Sequence, residues 1–572
     1  MAGSGKISEP DKAHIDAALR ELGDGVKLWS ATPLVRRREL LGQVHQLAGK
    51  HAQEWVDAAS TLKGLKPDSP LVGEEWISGP YPVLAWTTAA AETLAALEAG
   101  KSPLDTAKVV DGPGGRLAVN VLPFGVFDAL LLNGFSAQVW LEPGVDRATA
   151  ARTAGLAQLA PTKTNGIGAV LGAGNITSIA PLDVLYEIYA HNRVVILKLN
   201  PIMDGMFPVF SKVFRPLIDM GIVRIVQGGA EAGSYLVNHD DVAHVHITGS
   251  ALTHDAIVFG AGDDAAKRKA ASDPLLTKPI TSELGGVSPV IVIPGKWSGS
   301  DLRFQAEHIA TQRLHNGGYN CIAAQVVVLS ENWAQKDEFL QVLREVLHGA
   351  PARQPYYPGS GDRLQAALDA HPGAERISSE NDRVFITGIE PDSPVLGTEY
   401  FSPVLAVATL PGEGEAFFRS AVDFANTKCA GTLGANIIAH PATLKELGSG
   451  FDSALEELRY GTIAVNAWTG VGYLTARATW GAFPGHTLED VQSGIGVVHN
   501  AMLLDRTERT VVHGPFRPAP RSLIKGELAL SPRPPWFVTS PTAATTGRRL
   551  TEFTANQSWI KIPGIFASAL RG

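Results

Sequence analysis

GIGAVLGAGNITSIAPLDVLYEIYAHNRVVILKLN, residues 166–200, holds the pattern that decides the fold. GIGAVLGAG reads as a strand ending in glycines and PLDVLYEIYAHN as a helix. VVILKL, 194–199, is a short strand, wholly apolar apart from Lys198. An apolar run without polar alternation suits a parallel sheet covered on both faces. The alternation continues with a helix at FPVFSKVFRPLIDMG, a strand at IVRIVQ, a helix start at AGSYLVNHD and a strand at VAHVHI. This α/β pattern predicts a doubly wound parallel sheet, which binds ligands at the carboxyl ends of its strands. Beyond 281, strands at PVIVI, QVVVLS, RVFIT, VLAVATL, GANIIA and GTIAVNA predict a second α/β domain.

Around this centre the chain is helical at first. Residues 10–60 repeat apolar positions at helical spacing, and AWTTAAAETLAALEA (85–99) is another helix, stopped by Gly100 and Pro103. LAVNVLPFGVFDALLLNGFSAQVWL, 117–141, is long enough to span a bilayer, but Pro123, Gly125, Asp128, Asn133 and Gly134 interrupt it. It reads as buried strands with a turn or helix, serving as core, subunit contact or apolar substrate channel. After about 500 the chain turns rich in Pro, Ser, Thr and Arg, which predicts an extended tail lying on the surface.

Composition removes several classes. The net charge of -8 argues against general nucleic-acid binding, which needs a basic face. Two cysteines cannot build a disulfide framework, and their scarcity fits a reducing cytoplasm. The 16 histidines are scattered and none pairs with a cysteine at metal-binding spacing, so no metal site is expected. The polar N-terminus shows no secretory signal. Its GSGK lacks the preceding strand and following Ser or Thr of a phosphate loop.

Single motifs are ambiguous. Lys198 either faces a nucleotide crevice or snorkels from a sheet edge. Gly229 and Gly233 in QGGAEAG would admit backbone close to a ligand. Gly249 and Ser250 in TGS would hold a pyrophosphate or merely cap a helix. Glu283, before two glycines and a strand, is a candidate base or a surface glutamate. Cys321, in NGGYNCIAA, is read at a helix start where backbone N–H groups favour thiolate. Cys429, in FANTKCAGTLGANI, reads as structural.

In order and spacing these segments resemble the aldehyde dehydrogenase superfamily over about residues 10–500. The Lys198 strand, TGS at 248–250, ELGG at 283–286, NGGYNC at 316–321, EYFSPV at 399–404 and NTKCAGTL at 426–433 carry the resemblance. It implies a Rossmann-type cofactor domain (1–116 and 166–281), a bridging or inserted segment (117–165), a catalytic α/β domain (282–498) and a C-terminal extension (499–572). It also implies NAD or NADP as cofactor, an aldehyde substrate and a homodimer or homotetramer built by strand exchange. Cys321 is similar to the family nucleophile and Glu283 to its general base, while Asn175 with the Cys321 N–H would hold the oxyanion. Lys198 would bind the adenosine ribose. Gly229, Gly233, Gly249, Ser250 and Gly285 would line the cofactor, with Glu399 on the nicotinamide ribose and Phe401 against the ring.

The sequence departs from the family pattern in places. KLNP puts Pro201 where a glutamate would favour NAD, so the resemblance does not choose between the two cofactors. GAGN replaces an aromatic with Gly174, and Gln325 stands where a basic residue is common. The rivals are a CoA-linked acylating enzyme of the same fold and a non-catalytic protein that has kept the fold.

Overall fold

A computed structural model describes residues 7–378 and 382–572. The GSGK run lies outside the described residues. The N-terminal periodicity resolves into three helices, Glu9–Ser30, Leu34–Lys50 and Ala52–Leu62, followed by Val72–Ser78 and Pro80–Glu98.

The strand–helix alternation builds a six-stranded sheet. Its order is Gly494–Ile495, Ile280–Leu284, Val242–Gly249, Ile167–Leu171, Val194–Lys198 and Val223–Val226. All neighbours are parallel except the first pair. Every residue of Val194–Lys198 is buried, as an apolar strand covered on both faces requires. FPVFSKVFRPLIDMG, read as one helix, is two: Phe207–Val213 and Arg215–Asp219. Pro216 has no N–H to continue the ladder, so the chain restarts there.

Between Leu284 and Ser288 the chain crosses to an eleven-stranded sheet. Its centre runs Thr507–His513, Thr462–Val465, Gly434–Ile438, Ser288–Val292, Ala324–Ser330, Val404–Leu410 and Val384–Ile386, all parallel. Residues 117–141 form strand Leu117–Leu122, helix Val126–Leu131 and strand Ser136–Leu141. The second strand pairs with Thr507–His513 of the same chain.

The tail is not simply extended. It carries helices Ala543–Ala555 and Ile562–Ala569 and is tied to the body. Arg517 grips Asp301 through two hydrogen bonds, at 2.8 and 2.9 Å. Phe537 stacks between Phe304 and His308. Gly73 and Gly547 let two helices touch, since a Cβ on Gly73 would lie 2.4 Å from the Ala543 carbonyl carbon. The tail's prolines suggested extension, but its apolar residues had a surface to cover.

Candidate active site

Helix Gly299–Leu314 ends in the turn His315–Gly318. Asn316, Gly317 and Gly318 all take left-handed backbone, with φ of 56°, 68° and 83°. A Cβ on Gly317 would also meet the Tyr319 ring at 2.8 Å. Cys321 therefore lies in a turn between a helix end and strand Ala324–Ser330, not at the helix start expected from sequence. The three left-handed residues end the helix, and the β-branched run after Cys321 starts a strand. No helix N-terminus favours thiolate here. Burial, then the charge of Glu283, pushes the thiol well above its ordinary pKa.

Glu283 ends the neighbouring sheet and pairs across it with Thr248. It is buried, and neither carboxylate oxygen has a hydrogen-bonding partner in good geometry. Burial raises its pKa to about 7, reinforced by the charge of Asp183. The Cys321 thiol and the Trp480 indole lie near enough to draw it partly back. Asp183 accepts from Thr248 Oγ1 at 2.9 Å and sits 3.5 Å from His246 Nε2. His246 Nδ1 lies 2.9 Å from Thr281 Oγ1. Burial disfavours a charged His246, but Asp183 outweighs it and the pKa is raised. The thiol opens on a cavity of about 40 Å³ whose walls include Ile77, Ile179, Trp468, Tyr473 and Leu474.

Asn175, in the turn after strand Ile167–Leu171, donates through Nδ2 to Tyr319 O at 2.9 Å. A carboxamide has two N–H donors, so one is left. Beneath it lies a charge cluster that sequence reading missed. Lys63 Nζ donates to both oxygens of Glu75, at 3.0 and 2.9 Å, and to Asn316 Oδ1 at 3.1 Å. Glu74 accepts from the Asn316 N–H at 3.0 Å and from Arg353. Tyr356 OH donates to Asn316 Oδ1 and to Asn175 O, each at 3.0 Å. Two cations balance two carboxylates around Asn316, locking the cysteine loop. The adjacent GluGlu at 74–75 inside an apolar stretch was the available signal.

The register places the cofactor candidates on one edge. Lys198 pairs with Leu171, Leu171 with Ile247, and Gly249 with Leu284, so these strands end together. Lys198 Nζ has no hydrogen-bonding partner, and burial lowers its pKa. Gly229 caps helix Ala230–Asn238, with its N–H on Glu231 Oε1 at 3.2 Å, and Gly233 lies within that helix. Ser250 caps helix Ala251–Phe259 through the Thr253 N–H at 3.2 Å, and Gly249 precedes it. A Cβ on Gly285 would lie 2.0 Å from Glu399 Oε1, so only glycine admits that carboxylate. Burial raises Glu399 to about 8, against the pull of Arg313 and Arg363. Phe401 has a left-handed φ of 45° and sits between Tyr357 and Tyr319, with ring centroids 4.9 and 5.9 Å away. Gln325 holds this loop, donating to Val395 O and Thr398 O and accepting from Tyr400 N.

His315 lies against Trp468, and burial lowers its pKa to about 3, so it is neutral and no base for the thiol. Both cysteines are free. Cys429 is buried, which raises its thiol to about 12. Among the described residues, no cluster of three or more His, Cys, Asp or Glu side chains could hold a metal ion. No helix among them is long and apolar enough to cross a membrane.

The sequence model of the aldehyde dehydrogenase family matches residues 178–359, which span Glu283 and Cys321. Coniferyl aldehyde dehydrogenase from Pseudomonas sp. is 24% identical, covering 66% of this chain and 79% of that protein. The dimeric NADP-preferring aldehyde dehydrogenase of Mus musculus is 26% identical over 44% of this chain. The chain spans 54% of the length of that relative, and 44% of an aminoaldehyde dehydrogenase from Malus domestica. Among solved structures, an NAD-dependent aldehyde dehydrogenase from Sinorhizobium meliloti shares the fold. Its TM-score is 0.58 at 17% identity, covering 89% of this chain and 88% of that one. Residues 178–359 thus match the aldehyde dehydrogenase family, and the chain as a whole shares the fold of solved aldehyde dehydrogenases. That family is a class of oxidoreductases that act on aldehydes with NAD or NADP.

Proposed function

We propose that this protein oxidises an aldehyde to its carboxylic acid, with Cys321 as nucleophile and Glu283 as base. One observation carries the reading: a buried carboxylate with two unpartnered oxygens and a pKa near 7 stands beside a thiol that opens on a cavity. Glu283 takes the thiol proton, and the sulfur attacks the carbonyl carbon. The oxyanion is held by the Cys321 N–H and the remaining N–H of Asn175. NAD or NADP, when bound, supplies the oxidation by accepting a hydride. Glu283 releases the thiol proton to solvent and then takes one from water, whose oxygen attacks the thioester; the C–S bond breaks, freeing the acid and returning Cys321, which regains a proton.

The residues fit the cofactor. Lys198 has a free ammonium at the sheet edge, Ser250 opens a helix there, and Gly285 clears room for Glu399. Phe401 would lie against the nicotinamide, with backbone at Gly229, Gly233 and Gly249 bordering the crevice. Pro201 brings no carboxylate of its own, but Asp204 and Glu231 lie near enough to act on Lys198, so the choice between NAD and NADP is left to the assay. We assign the cofactor domain to 1–116 and 166–281, a bridging segment to 117–165, the catalytic domain to 282–498 and an extension to 499–572. We place a homodimer or homotetramer in the cytoplasm.

The test follows reduced-cofactor absorbance with aliphatic, aromatic and coniferyl aldehydes, NAD or NADP, with and without CoA. Signal without CoA, lost in Cys321→Ala, is expected. Signal only with CoA would move the protein to the acylating class, and signal surviving in Cys321→Ala would overturn the reading.

A further inference from the structure

A second, much larger cavity of about 510 Å³ lies beyond the one at Cys321. Ile77 and Leu474 line both. The inner cavity, at about 40 Å³, is less than a tenth of the outer volume. The outer volume is within the range of small-molecule sites. Any larger aldehyde must keep most of its bulk there.

The outer chamber is walled partly by helix Pro80–Glu98 and residues 471–477, and partly by the 117–141 segment and the tail. Val121 to Leu132 supply one wall, and Trp536, Leu550 and Phe553 of the tail supply another. These segments close on each other: Phe127 meets Phe553 at 5.0 Å and Trp559 at 4.8 Å between ring centroids. Leu130, Leu131 and Leu550 join this small apolar cluster, which is separate from the main core. The charged groups in the lining are already paired. Arg477 is bonded to Glu92 and lies over the Phe124 ring at 3.8 Å, and Asp128 accepts the Phe124 N–H at 3.0 Å. No free cation waits there for a carboxylate or phosphate.

We propose that this chamber receives the body of an uncharged, apolar aldehyde, of medium or long chain or aryl, whose carbonyl passes between Ile77 and Leu474 to Cys321. The proposal rests on Cys321 as the nucleophile. The tail thereby becomes part of the substrate site, and its packing on the 117–132 segment sets the length accepted.

The test compares kcat/KM for n-alkanals from propanal to decanal in the wild type, Leu131→Glu and Leu550→Trp. Both variants alter the chamber wall by different means, charge and bulk. At least a tenfold rise from propanal to decanal is expected in the wild type. Each variant should lose that rise, lowering kcat/KM for decanal at least tenfold more than for propanal. A flat wild-type series would overturn the proposal, as would variants that slow propanal and decanal equally. Titration calorimetry with 1-decanol on Cys321→Ala separates this proposal from the catalytic reading. If no aldehyde is oxidised, that reading fails, while decanol binding weakened tenfold or more by Leu131→Glu would uphold the chamber. No decanol binding, or binding indifferent to Leu131→Glu, would overturn it.

Discussion

Glu283 owes its pKa near 7 first to burial and then to Asp183. Its base form grows as pH rises through 7, so kcat/KM should fall on the acid side with a midpoint there. Glu283→Gln should abolish that limb and slow turnover by about 10²–10⁴-fold. Asp183→Asn removes a neighbouring negative charge, which lowers the Glu283 pKa and moves the limb to lower pH. A pH profile of the three proteins checks both. Thiol labelling adds a sharper contrast: Cys321 should be alkylated faster than Cys429, the fully enclosed thiol. At this scale the sequence named the proposed pair, which the structure brings together, but not its surroundings. Glu283 and Cys321 sit in recognisable motifs, whereas Asp183 and His246 are 63 residues apart and meet only through the sheet.

The cysteine loop shows what an element adds. Its glycines were read as flexible neighbours at a helix start, and neither the left-handed turn nor its anchor was foreseen. Arg353 is nearly 280 residues from Glu74 and Glu75, and apart from the GluGlu pair in its apolar stretch nothing local marks Lys63 or Arg353 as buried. Lys63→Met leaves Glu75 short of a partner in the interior, and should cost about 3–5 kcal/mol in urea unfolding while suppressing turnover. Gly317→Ala should also damage activity, because the added methyl needs both a left-handed φ and the space of the Tyr319 ring. The sequence reading placed no helix over Gly299–Leu314, for a related reason. Its Asp301, Gln305, His308 and Gln312 are all buried, since the tail covers a face that polarity assigns to solvent.

In the whole molecule, the tail and residues 117–141 are structural partners of the catalytic body. The central strands followed from apolar runs, because a parallel sheet writes itself into composition, but their order in the two sheets did not. The tail's docking did not, because it depends on two glycines meeting across helices 72–78 and 543–555. Gly547→Leu would push against Trp76 and the Gly73 carbonyl, and should cost about 1–3 kcal/mol in chemical unfolding. An unchanged unfolding midpoint would show that the tail is a loose appendage.

The most direct measurement is the intact mass of protein quenched during turnover of decanal with cofactor. The expected result is a population heavier by the aldehyde less two hydrogens, mapped to Cys321, absent in Cys321→Ala and a larger share of the enzyme in Glu283→Gln. Acid formed with no adduct at any time, or an adduct on Cys429 alone, would contradict the account.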